Sequence, residues 1–148
     1  MLYKIEFNIN KEDFIDNIEV EFCNQDGVIS TEIYDTSIIK IEKCEKEITY
    51  NNENLIYINQ EGLLYDDFHK VAVYLNNNLL GDDKYSFDKN TKYLSLSYKL
   101  NLTTSDVIKI EYYKEHCVIE YNSNVEVQYV NVKCNYKKSY LLGSHTNN

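Results

Sequence analysis

Proline and tryptophan are absent from this 148-residue chain, and glycine occurs only four times. Asparagine, isoleucine, lysine and tyrosine are abundant instead, a bias that AT-rich codons produce. With so little glycine there is no glycine-rich phosphate loop, and no nucleophile elbow occurs. Long apolar runs are lacking too. The longest covers a few residues, far short of the roughly 20 that a membrane-spanning helix needs. A basic stripe is also missing. Fifteen Lys and Arg against 24 Asp and Glu leave a net charge of −9 and a pI of about 4.8. Such a surface repels phosphate backbones, which argues against nucleic acid as a partner and suits a soluble protein.

The four cysteines, Cys23, Cys44, Cys117 and Cys134, are irregularly spaced and form no CxxC pair, so zinc ligation is not indicated. Cys23 and Cys134 fall in the apolar phase of strand patterns, where cysteine behaves as a small hydrophobe. Buried thiols are the expectation, with disulfides as the alternative. Met1-Leu2-Tyr3-Lys4 leads straight into alternating residues without a signal-peptide pattern. The expectation is synthesis in a reducing host cytoplasm.

What the chain does have is period-2 alternation. Tyr3, Ile5, Phe7 and Ile9 alternate with polar residues, as do Ile18, Val20 and Phe22. Between them, Asn10 reads as an N-cap for one short helix near residues 11–17. Further strands are expected over 28–34, 38–41, 55–58, 71–75, 94–98, 107–113 and 117–121. The segment KIEKCEKE at 40–47 reads as a charged strand edge. A long strand over 125–136 changes phase at Tyr129-Val130, which predicts a β-bulge there.

Many short strands with hardly any helix predict an all-β protein, an antiparallel β-sandwich of two packed sheets. Residues 1–142 are expected to form one β domain, with a seam near 60–67 if it divides into an N-terminal β part and a C-terminal β-meander. The residues 143–148 read as a flexible tail.

Catalytic and metal chemistry finds little support. An extended Asp66-Asp67-Phe68-His69 would point Asp67 and His69 the same way, but no third ligand follows by spacing. His116 and Cys117 are adjacent on a strand and so face opposite sides. His145 lies in the tail. Asp66-Asp67 and Asp82-Asp83 lack the alternating pattern of a calcium loop and read as solvated turns. No catalytic residue, cofactor or metal is therefore assigned.

The fifteen tyrosines say more. Tyr57 and the six interface candidates Tyr74, Tyr85, Tyr93, Tyr98, Tyr112 and Tyr113 lie in or beside strands. They serve either as ordinary sheet filling or as an interface or sugar-binding face. Asn76, Asn77 and Asn78 mark a turn after Val71, Val73 and Leu75. Asparagine is the residue other than glycine that best tolerates positive φ, so here it does glycine's work.

The stretch from Val71 to Tyr113 resembles a module of phage tail and tail-fibre structural proteins. That family's pattern is a strand ending in "VYLNG", a "DY" before the next strand, an alternating strand, then "GD" leading into "VIxIxYY". Here Val73-Tyr74-Leu75-Asn76-Asn77 matches the first part and Lys84-Tyr85 stands at "DY". Leu94-Ser95-Leu96 matches the alternating strand. Ser105-Asp106 stands at "GD", and Val107-Ile108-Lys109-Ile110-Glu111-Tyr112-Tyr113 matches the last strand. Asn77 and Ser105 replace two family glycines, and the match covers under a third of the chain.

The resemblance implies a non-enzymatic virion building block of a tail, baseplate or fibre. It would assemble with copies of itself, as a trimer or ring, and with neighbouring virion proteins. The alternatives are a carbohydrate-binding module that recognises a cell-surface glycan, and a capsid decoration or head-associated protein. An enzyme would need His69 or His116 to meet several acids in one cleft.

Overall fold

A computed structural model describes residues 1–9, 17–134, 137–142 and 146–147. The protein is all-β, with antiparallel sheets. The chain forms two compact units. The first comprises residues 1–40 and 115–148, and the second is the continuous stretch 41–114.

In the first unit, β1 (Leu2–Phe7) alternates between exposed and buried positions along its length. It pairs with the C-terminal half of β11 (Val107–Asn122), in a register that sets Tyr3 opposite Tyr121 and Phe7 opposite Cys117. A second sheet has the order β13-β12-β2-β3, from β2 (Ile18–Asn24), β3 (Gly27–Tyr34), β12 (Tyr129–Lys133) and β13 (Lys137–Leu141). Side chains of both sheets form one core that includes Tyr3, Ile5, Phe7, Val20, Phe22 and Ile119. Phe22 stacks on Tyr121 with ring centroids 3.7 Å apart. Burial of each such apolar side chain contributes about 1.5–3 kcal/mol.

In the second unit, β4 (Ile39–Thr49, whose first two residues belong to the first unit), β7 (Ala72–Leu75), β8 (Asn78–Leu79) and the short β6 (Leu63–Leu64) share a sheet with the N-terminal half of β11. The order β5-β10-β9 makes the other sheet, from β5 (Leu55–Tyr57), β9 (Tyr85–Asp88) and β10 (Tyr93–Leu96). Their shared core includes Ile56, Ile58, Val73, Leu94, Ile108 and Ile110.

Several details differ from the sequence expectation. The chain does not divide near 60–67: Ile56 and Ile58 before that stretch share one core with Val71 and Val73 after it. The segment 71–113 is not one continuous meander. β7 and β8 form a hairpin in one sheet, and β9 and β10 form a hairpin in the other. KIEKCEKE, by contrast, is the charged strand edge expected: it lies within β4, which pairs with β11 alone among the described strands. Residues 107–113 and 117–121 belong to one strand, β11.

The strand expected over 125–136 is shorter, Tyr129–Lys133, so the change of phase marks where the chain enters the sheet. Val127 lies before that strand, and its buried N–H donates to the Tyr3 hydroxyl at 3.0 Å. A register shift does occur, but between Phe22 and Cys23 in the pairing with β3. The helix expected near 11–17 lies outside the described residues except for Asn17, which is not helical. Part of the expected tail joins a sheet: β14 (Thr146–Asn147) pairs with Leu2 and Tyr3. No helix among the described residues is long and apolar enough to cross a membrane.

Candidate functional site

The six tyrosines expected at an interface do not share one face. Tyr112 is only 7% exposed and belongs to the second core; its hydroxyl reaches Gln60 Oε1 at 3.3 Å. Tyr85 packs against the same core, and its hydroxyl donates to the Val71 carbonyl at 3.0 Å. Burial pushes the phenol pKa of both upward. These two are sheet filling. Tyr112 lies in phase with the buried Ile108 and Ile110, and Tyr85 with the half-buried Phe87, a signal already present in the sequence.

Tyr74 lies on β7, where the Glu111 carboxylate raises its phenol pKa and the Lys109 ammonium sits 4.5 Å from its ring centre. Glu111 is 8% exposed and lies 3.6 Å from the Lys43 ammonium. Burial alone would raise the Glu111 carboxyl, but the Tyr74 hydroxyl and Lys43 outweigh it and hold the pKa below its ordinary value. The group is an ionised, paired carboxylate on a sheet. Tyr93 and Tyr98 are exposed, Tyr98 on a 3-10 turn (Tyr98–Leu100) started by the Ser97 side chain.

The asparagine turn is now defined. Leu75 pairs with Asn78, and the two residues between them, Asn76 and Asn77, have φ of 48° and 69°. Positive φ at both central positions is the signature of a type I′ hairpin, whose twist matches that of the strands. Asn78 is thus the first residue of β8. Asp106 lies opposite this turn and accepts from Asn76 Nδ2 at 2.9 Å and from the Thr103 N–H at 2.7 Å.

Asp66-Asp67-Phe68-His69 is a tight turn, and Asp66 rather than Asp67 meets His69. Asp66 Oδ1 accepts from the Phe68 N–H at 2.9 Å and the His69 N–H at 2.8 Å, and lies 2.9 Å from His69 Nδ1. The bond to His69 is the main cause that lowers the Asp66 pKa. The His69 ring meets Tyr113 edge-on, with centroids 5.0 Å apart. The turn holds Phe68 with 90% of its surface exposed. Sequence reasoning missed Phe68; the signal was a lone aromatic between charged turn residues.

The remaining candidate chemistry stays dispersed. Asp82 and Asp83 lie on an exposed 3-10 turn, where Asp83 faces Lys84 at 3.8 Å. His145 lies outside the described residues. Among the described residues, no three His, Cys, Asp or Glu side chains converge to hold a metal ion. None of the four cysteines forms a disulfide, and Cys23 and Cys117 are buried.

The fold and sites define an all-β antiparallel protein with two cores and an aromatic held outward on a braced turn. The chain matches no protein family, curated protein or solved structure.

Proposed function

We propose that this chain is a non-enzymatic structural component of a phage or phage-tail-like particle, in its tail, baseplate or fibre. It acts by symmetric assembly with copies of itself and with neighbouring virion proteins. The observation that carries this reading is Phe68. A phenylalanine that is 90% exposed gains nothing from folding, yet Asp66 and His69 fix the turn beneath it. Preorganised aromatic anchors of this kind supply much of the energy of protein interfaces. The resemblance of residues 71–113 to tail and fibre modules supports the same reading.

A stable contact would bury about 800 Å² on each partner. Phe68 would sit near the centre of such a contact, with Tyr98 a second exposed aromatic on the same unit. The test is mass spectrometry of gradient-purified particles from an induced host lysate. The expected result is this chain at a fixed stoichiometry to the other particle proteins. Recovery in the particle-free fraction alone would overturn the reading.

A further inference from the structure

Strands β4 and β5 are edge strands of the two sheets of the second unit. Their flank holds an open depression of about 370 Å³, within the roughly 300–1,000 Å³ of small-ligand sites. Lys46, Asn51, Glu53, Leu55, Tyr57 and Asn59 contribute to its walls. We propose that this flank is a binding site for a neutral saccharide of one or two rings. The inference is independent of the assembly reading.

The lining decides the ligand class. Tyr57 and Tyr93 are each 43% exposed, and their rings lean on one another at 5.3 Å. The register that sets Tyr57 opposite Tyr93 fixes the orientation of the Tyr57 ring at the wall. An aromatic ring held in this way offers a flat apolar surface to the C–H face of a sugar. Around it, Asn51, Glu53 and Asn59 are exposed and bond no other group among the described residues. Each amide presents a donor and an acceptor, and the carboxylate two acceptor oxygens. Sugar hydroxyls both donate and accept, so they complement these groups.

Other occupants fit less well. An added β-strand needs the open edge of β5, but the Lys46 ammonium already donates to the Tyr57 carbonyl at 3.2 Å. A lysine in that position protects an edge from strand addition. An anion would face Glu53 and a chain of net charge −9. A metal cation would find one carboxylate beside an ammonium. A neutral polyhydroxylated ligand meets none of these obstacles.

The experiment is an amide-resonance titration of the full chain with the methyl glycosides of glucose, galactose, rhamnose and N-acetylglucosamine, each to about 20 mM. The expected result is saturable shifts confined to residues 46–59 and Tyr93 with at least one glycoside. Tyr57→Ala should weaken binding about ten-fold, as loss of a central aromatic contact does. Asn59→Ala, a change at an exposed site, should weaken it by a smaller factor in a chain whose remaining spectrum is unchanged. Tyr98→Ala should leave binding intact. Absence of saturable shifts with all four sugars, or equal shifts in wild type and Tyr57→Ala, would overturn the proposal.

Discussion

Asn76 Nδ2 donates to Asp106 Oδ1 at 2.9 Å, thirty residues along the chain, while Asn76 Oδ1 accepts the Val107 N–H at 2.9 Å. One side chain thus ties the β7–β8 turn to the loop that feeds β11. Asn76 and Asn77 both hold positive φ, which a residue with an ordinary Cβ adopts only at a cost. Asn77→Ala should therefore lower stability by about 1 kcal/mol, and Asn77→Gly should hold or raise it by a few tenths. Asn76→Gly keeps the backbone easy but removes the tie, and should cost about 1–2 kcal/mol. Urea unfolding midpoints check all three. An Asn76→Gly midpoint equal to that of wild type would show that the tie carries no weight.

The same tie makes stability depend on pH. The Thr103 N–H, and after it Asn76, hold the Asp106 carboxyl below its ordinary value. A folded pKa below the unfolded value of about 3.9 means that the folded state binds the proton less readily. The contribution is therefore fully present above about pH 4 and is lost as pH falls through the folded pKa. Asp106→Asn should flatten this part of the acid limb. Subtracting the two stability curves, together with a carboxyl-carbon NMR titration, checks the sign. A larger difference at acid than at neutral pH would contradict it.

Burial should silence Cys117. Its side chain is 1% exposed, and burial, assisted by the Glu115 charge, pushes its pKa up to about 12. At pH 8 about one molecule in ten thousand carries the reactive thiolate. Iodoacetamide should leave Cys117 unmodified in the native protein and label it fully in urea, as read by peptide mass mapping. Native labelling as fast as unfolded labelling would contradict its place in the core.

Where one face of a strand is buried throughout, the sequence was easy to read. β1 alternates cleanly along its length, and β2 does so from Ile18 to Phe22, because each serves a single core. β11 was read as two strands because its buried positions change parity. Ile108, Ile110 and Tyr112 enter one core, whereas Cys117 and Ile119 enter the other. A period-2 reading treats that change as a break, although the strand continues through Lys114, Glu115 and His116. The division of the chain at 40–41 and 114–115 was illegible for the same reason, since both points fall inside continuous strands. Tyr57 was legible as a strand tyrosine, but Lys46 and Asn59 escaped notice because they meet it only when β4 and β5 become neighbouring sheet edges. Phe68 escaped because four turn residues are too few to show a period.

Phe68 should separate assembly from folding. Its ring is almost wholly in water, so Phe68→Ala should change stability by no more than about 0.5 kcal/mol. If the ring seats in an apolar socket on a neighbouring subunit, the same change should reduce incorporation into particles about ten-fold or more, the scale of an interface hot spot. Asp66→Ala leaves the ring in place but removes the acceptor that fixes the Phe68 and His69 N–H groups, so the turn must be ordered on docking. Incorporation of that variant should fall between wild type and Phe68→Ala. Co-expressing tagged wild type and variant in one host, and comparing their ratio in particles with that in the lysate, measures this order directly. Wild-type recovery of Phe68→Ala in particles would remove Phe68 as an anchor, because an exposed ring that contributes to neither folding nor assembly has no binding energy to lose.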